Sequence, residues 1–162
     1  MREDDLDALV AVERAGTRRL AEHGFPSLLD VMVDADGMRA LTEGRGVWVA
    51  AGDADAPVGF AVASDEGRFM YLHELSVVPP HHGRGIGTML LGAVVDHARW
   101  AFHTVLALDT FRTVPFNAPF YAKRGFMALE RKDVPPEIEA LAAAGRPPGI
   151  HPGARVVMVR RL

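Results

Sequence analysis

The sequence predicts a mixed α/β fold, a sheet covered by helices on both faces. Three observations predict it. Short β-branched apolar runs alternate with longer segments of helical period, and the first two runs face each other as an antiparallel hairpin. A glycine-rich loop then joins the longest strand run to the longest helical pattern.

The elements follow in order. Asp4 and Asp5 precede Leu6, Leu9, Val10 and Glu13, an amphipathic helix whose early acids suit its dipole. Gly16 is expected to end it, and Thr17 to cap a second short helix that stops near Gly24. Between Pro26 and Gly46 only Met38 to Leu41 reads as a helical turn. Residues 47–51 and 58–63 read as strands with a turn over 52–57. A long strand over 69–78 leads through the loop into a helix from about 85 to 102. Residues 104–110 read as a strand, 116–123 as a helix and 126–130 as a strand. Pro135-Pro136-Glu137 opens a helix that Gly145 closes. A Pro/Gly-rich loop over 146–153 precedes a final strand over 156–161.

Composition narrows the function classes. The 162 residues fit one domain, 1–162, with no repeat, low-complexity tract or separating linker. Apolar residues make up 49% and charged residues 24%, the balance of a soluble globular chain. A formal charge of −3 argues against nucleic acid as a partner. Cysteine is absent, which excludes disulfides, thiolate metal sites and cysteine nucleophiles. No run approaches the ~18 apolar residues of a membrane span, and Met1-Arg2-Glu3-Asp4-Asp5 is no secretory signal. The expected location is cytoplasmic, with no membrane partner.

The most informative stretch runs from Leu75 through Val77, Val78, Pro79, Pro80, His81, His82, Gly83, Arg84, Gly85, Ile86 and Gly87 to Thr88. The glycines leave no side chain in the way, so several backbone N–H groups can converge on one point at a helix N-terminus. That is a site for an anion such as a pyrophosphate. A Walker A loop is excluded, because Gly87-Thr88 lacks the preceding lysine. A dinucleotide fingerprint is incomplete: Thr88 or Leu90 stands where its third glycine is required. Asp109, at the end of the next strand run, keeps that reading in view as a ribose-binding acid.

Val78-Pro79 followed by His82-Gly83-Arg84-Gly85-Ile86-Gly87 resembles the acetyl-CoA signature Arg/Gln-x-x-Gly-x-Gly/Ala of the GNAT (Gcn5-related N-acetyltransferase) family. Downstream, Asn117-Ala118-Pro119-Phe120-Tyr121-Ala122-Lys123-Arg124-Gly125-Phe126 resembles that family's Asn-x-x-x-x-Tyr-x-x-x-Gly-Phe segment. The element order extends the likeness over nearly the whole chain. It implies a mixed, mostly antiparallel sheet of about six to seven strands. It also implies a strand ahead of the first helix, ending near an arginine such as Arg2, of which this chain holds little. One departure is His82, which stands where arginine or glutamine is usual and whose charge would depend on pH near neutrality.

The resemblance implies an acetyl-CoA-dependent N-acetyltransferase acting by direct attack of an amine. A non-catalytic acyl-CoA binding or sensing module is the alternative. Acetyl-CoA is the implied co-substrate, with its pantetheine arm along the backbone of Leu75, Val77 and Val78 and its pyrophosphate on residues 82–88. Asn117 is implied to bond the pantetheine amides and Tyr121 to protonate the leaving thiolate; a buried tyrosine packed on Phe120 and Phe126 is the structural alternative. Glu74 lies four residues before Val78, about 13 Å at strand rise, which brings it near the thioester end. Strand alternation sets it on one face with Met70, Leu72, Ser76 and Val78, where apolar neighbours would raise its pKa towards that of a useful base. An ion pair or a solvent-facing position is the alternative. His73 is expected to point the other way as filler. Lys123 and Arg124 stand either near a 3′-phosphate or at a solvated helix end.

No metal site is expected. His81-His82 has no further ligand at a convincing spacing, and His73-Glu74 is followed by Val77 where a zincin needs histidine. No G-x-S-x-G elbow anchors a hydrolase triad. The acceptor amine, of a small molecule or a peptide, would be shaped by residues 17–45 and 132–153. A homodimer is compatible with the sequence, though no residue argues for one.

Overall fold

The computed structural model describes residues 5–162. Helix α1 spans Leu6–Glu22, α2 Ala35–Thr42, α3 Ile86–Trp100, α4 Ala118–Ala122 and α5 Pro136–Ala144. The strands are β1 Gly46–Ala51, β2 Pro57–Asp65, β3 Met70–Val77, β4 Val105–Phe111, β5 Met127–Ala128 and β6 Arg155–Arg161. They form one six-stranded sheet in the order β1-β2-β3-β4-β6-β5, antiparallel throughout except between β3 and β4. The mixed, mostly antiparallel sheet is therefore as expected. Arg2 and the implied preceding strand lie outside the described residues. No helix among the described residues is long and apolar enough to cross a membrane.

Helices cover both faces. Leu90, Leu91, Val94, Val95 and Ala98 of α3, with Ala118 and Tyr121 of α4, pack on Ala61, Ala63, Met70, Leu72, Leu106, Leu108, Val156 and Met158. On the other face Leu9, Val10 and Val12 of α1 and Met38 of α2 cover Phe60 and Val62. There α5 lays Ile138 and Ala142 over Tyr71, Ala107 and Val157. Burying these aliphatic faces away from water is the main force holding the layers together.

Gly16 does not end the first helix, which runs unbroken to Glu22. A Cβ at position 16 would lie 3.1 Å from Ser76 Oγ, so glycine serves the close approach of α1 to β3. Thr17 is mid-helix, and its hydroxyl donates to Glu13 Oε1 at 2.7 Å rather than capping a new helix.

The feature that makes a site is a split in the sheet. β3 pairs with β4 only through Met70, Leu72 and the residue between them, against residues 106–108. Beyond that, Asp109, Thr110 and Phe111 follow β6 while Glu74, Leu75, Ser76 and Val77 follow β2. The cause is a bulge in β3. Val62 faces Glu74 and Ala63 faces Leu72, leaving His73 as an extra residue that bends the strand away.

Candidate active site

The split leaves half of β3 with one free edge. Val78 N–H donates to Val58 O at 2.9 Å, so by strand alternation Ser76 and Glu74 also direct their backbone groups to β2. Leu75 and Val77 therefore turn theirs towards the gap. Leu75 N–H there meets only the Glu74 carboxylate, at 3.1 Å. An unpaired edge of this kind is a template for an extended ligand.

At the end of that edge lies the glycine loop. Gly83 and Gly85 have φ of +74° and +83°, the left-handed region that a side chain strains. A Cβ at either would meet nothing within 4 Å, so glycine is required here by the backbone conformation. The N–H groups of residues 83–87 find no acceptor among the described residues. They crowd the N-terminus of α3, where the helix dipole adds partial positive charge. With Arg19, Val77, His82, Phe116 and Phe120 the loop lines a cleft of about 370 Å³. Thr88 N–H is already bonded to Gly85 O, and the Thr88 hydroxyl accepts from Arg124 Nη2 at 2.6 Å. The Arg124 guanidinium lies 3.7 Å from the Phe120 ring centre, at the cleft wall, whereas Lys123 is exposed. Val78 and Arg84 do not line the cleft: Val78 packs towards α1 and the Arg84 side chain is exposed.

His82 has a different occupation from the expected phosphate cation. Its Nε2 lies 2.6 Å from Val77 O, an acceptor, so Nε2 carries the proton. Its Nδ1, 3.0 Å from Arg19 Nη1, must then accept, which describes a neutral ring. Arg19 also stacks 3.7 Å over the Phe116 ring. The cation at this end of the cleft thus comes from α1. Arg19 is 63 residues from His82 in the chain, and no local pattern marks it.

Leu75 also borders a second cavity of about 90 Å³, lined by Glu74, Thr110, Asn117 and Tyr121. Glu74 does not share a face with Met70 and Leu72, as strict alternation predicts. The bulge at His73 moves Glu74, Ser76 and Val78 to the α1 face, while Met70 and Leu72 stay under α3. Glu74 Oε1 accepts from Ser76 Oγ at 2.8 Å and from Leu75 N–H, leaving Oε2 without a partner among the described residues. Burial, then the negative charge of Glu13, raises its pKa above the ordinary carboxylate value. Glu13 is raised in the same direction by burial, and its own Oε2 is buried without a partner among the described residues.

His73 is not filler on the far side. It lines this cavity beside Glu74, with Nε2 2.7 Å from Ser64 Oγ. The Ser64 hydroxyl donates to Glu66, so the histidine donates to Ser64 and its Nδ1 is left bare. Burial, aided by the charge of Arg45, pushes its pKa down to about 4.

Tyr121 approaches from the α3 face. Its ring packs edge-on against Phe120 and Phe126, with centroids 5.1 and 5.5 Å away. The residue is 8% exposed, and its hydroxyl has no hydrogen-bond partner among the described residues. Burial, reinforced by Glu74, raises its pKa well above the usual phenol value, so it stays protonated. Asn117 caps the short α4 and donates from Nδ2 to Thr110 Oγ1 at 2.9 Å, leaving its carbonyl oxygen free. Deeper in the split, Arg155 pairs with Asp109, both nearly buried at 15% and 7% side-chain exposure. A third cavity, of about 130 Å³, is bordered by Leu41, Tyr71, His73, Glu74, Asp109 and Arg155.

Residues 11–126 match the acetyltransferase (GNAT) family model. The PaiA N-acetyltransferase of Thermoplasma acidophilum, solved in complex with coenzyme A, superposes with a TM-score of 0.76 at 15% identity, over 100% of this chain and 96% of its own. A GCN5-related N-acetyltransferase from Rhodopseudomonas palustris gives a TM-score of 0.72 at 24% identity, covering 100% and 92%. The ribosomal-protein-S18-alanine N-acetyltransferase of Escherichia coli gives 0.69 at 15%, covering 99% and 90%.

Proposed function

The chain belongs to the acetyltransferase (GNAT) family, and on that premise we propose that it moves an acetyl group from acetyl-CoA to an amine by direct attack, the whole chain acting as one domain. One observation carries the reading. The edge of Leu75 and Val77, which no strand pairs, runs straight into a loop whose N–H groups have no acceptor among the described residues, matching an extended arm that ends in a pyrophosphate. The coenzyme A bound to the Thermoplasma relative supports the same ligand.

In this reading Leu75 and Val77 bond the pantetheine amides through their backbone, and Asn117 adds its side-chain carbonyl. Residues 83–87 hold the pyrophosphate with backbone N–H groups, and Arg19 supplies the cation that neutral His82 does not. His82 has a positioning role, tying Arg19 to the strand edge. The thioester then lies in the split, between Glu74 on one face of the sheet and Tyr121 on the other. An acceptor ammonium loses its proton to Glu74 Oε2, whose raised pKa suits it for that transfer. The amine nitrogen forms a bond to the carbonyl carbon, and the carbon–sulfur bond breaks on the opposite side. Tyr121 donates its hydroxyl proton to the sulfur as negative charge develops, and the second proton, which the nitrogen sheds as the amide forms, restores the phenol. Its own burial disfavours a free phenolate, so transfer to the sulfur is coupled to recovery of the proton that the nitrogen sheds.

Ligand-dependent melting tests this reading. A ligand that binds only the folded protein stabilises it by RT ln(1 + [L]/Kd), so coenzyme A should raise Tm while NAD and ATP do much less. Gly85→Val should abolish the shift, because valine resists the φ of +83° that aims the loop N–H groups. Stabilisation by NADH without stabilisation by coenzyme A would sink the proposal. A sensing module would give the coenzyme A shift, but no thiol release in a single turnover with any amine.

A further inference from the structure

A basic cavity of about 100 Å³ lies beyond the Asp109–Arg155 pair, on the face covered by α5. Arg112, Arg131 and Arg146 line it together with that pair and Glu139. These three arginines come from three separate links, those following β4, β5 and α5. Among the described residues the side chains of Arg131 and Arg146 make no hydrogen bond or ion pair, and the Arg112 guanidinium donates only to Arg155 O, at 3.3 Å. Since Asp109 is matched by Arg155, three cations face one carboxylate. Yet the chain as a whole has a charge of −3. Like charges converging without counterions repel one another, and an anion in the cavity relieves that cost.

The cavity adjoins the reaction site across a shared wall. Asp109 and Arg155 border it, and they also border both cavities that contain Glu74. Ala142 of α5 is shared by the basic cavity and the one holding Glu74, His73 and Tyr71. The adjoining cavities therefore have two poles. At one end stands Glu74, with the negative charge of Glu13 behind it. At the other stand the unpaired arginines. This polarity complements a molecule with an ammonium at one end and an anion at the other.

Resting on the acetyltransferase reading, we propose that the acceptor is a small amine bearing an anionic group, a carboxylate or a phosphonate. Its nitrogen sits at Glu74 and its anion against Arg112, Arg131 and Arg146. Guanidinium forks suit both anions, through two parallel charge-assisted hydrogen bonds. The Asp109–Arg155 pair between the poles fixes the shape of the passage and is not itself an open anion site.

The test uses the full chain and matched acceptors. ω-Amino acids of graded chain length, the matched alkylamines lacking the carboxylate and the corresponding ω-aminoalkylphosphonates are compared by kcat/KM for thiol release from acetyl-CoA. Acids or phosphonates should exceed the matched amine by roughly 10-fold or more, and whichever wins names the anion. In Arg131→Gln/Arg146→Gln that ratio should fall by about the same factor, and Arg131→Lys/Arg146→Lys should restore part of it. Matched alkylamines serving equally well, or a ratio unmoved by the double variant, would overturn the proposal. If no acceptor turns over, the N-acetylated derivatives are bound in the presence of coenzyme A. Tighter binding of those bearing an anion supports the site, and equal or absent binding overturns it. The Tm shift with coenzyme A alone, read on the same proteins, separates this failure from failure of the acetyltransferase reading.

Discussion

Tyr121→Phe separates chemistry from packing more cleanly than any other substitution in this chain. The ring keeps its edge-on contacts with Phe120 and Phe126, so the core loses no volume. The hydroxyl has no hydrogen-bond partner among the described residues, so its removal breaks no hydrogen bond there. The hydroxyl borders the cavity and is not fully enclosed, so removing it changes stability little. The variant should therefore match the parent, with Tm within about 2–4 °C of it. Turnover should behave differently. Loss of a general acid lowers the rate by roughly 10²–10⁴, or about 2.7–5.4 kcal/mol in the barrier. The assay is single-turnover thiol release, which keeps product release from masking the chemical step. With no cysteine in the chain, a thiol reagent reports only liberated coenzyme A. The fractional loss should be the same for every acceptor, because all share one leaving group. A single-turnover rate within a few-fold of the parent would remove Tyr121 from the reaction. A fall in Tm of several degrees would show that its hydroxyl anchors the fold.

Three further outcomes follow from the same geometry. Glu74→Gln should lower turnover by roughly 10²–10⁴ while coenzyme A affinity hardly moves, since the glycine loop lies at the other end of the strand edge. The parent rate should rise with pH through a value above the ordinary carboxylate range, and a loss of only a few-fold in the variant would indicate proton transfer through water. Glu13, whose folded pKa is raised by burial, ionises more readily in the unfolded chain, so it favours the fold fully below the ordinary carboxylate pKa and loses that contribution as pH rises through the folded value. Glu13→Gln should accordingly raise Tm by about 2–4 °C at neutral pH and have little effect in acid, and an equal shift at both would refute the charge argument. Arg19→Gln should weaken coenzyme A by about 10-fold and leave pantetheine, which lacks the pyrophosphate, unaffected; equal weakening of both would make Arg19 a strut only.

The order of helices and strands was legible because each is written locally. Apolar spacing marked α3 and its neighbours, and Pro136 and Gly145 bounded α5. The glycine loop was legible for a related reason. Positive φ at Gly83 and Gly85 is a demand that few residue types meet, so the requirement shows in the residue itself. Glu74, Asn117 and Tyr121 were marked by strand and helix spacing together with the family resemblance, and the fold brings all three to one cavity.

Other features depend on contacts between distant segments. Strict alternation misassigned the face of Glu74 because the bulge at His73 is settled by register against β2, which β3 alone does not encode. Gly16 reads as a helix stop by propensity, but it is retained inside α1 by the close approach of Ser76. The neutral state of His82 is set by Val77 O and Arg19, one of them 63 residues away. The facing of Glu13 and Glu74 and the convergence of three arginines likewise arise only when separate segments meet. Periodicity and backbone conformation are properties of a few consecutive residues, so the sequence alone determined most of the elements, their order and the glycine loop. Electrostatic environment and pairing depend on which residues meet across the sheet, and tertiary structure alone decided the unbroken α1, the split and the charge environment around it.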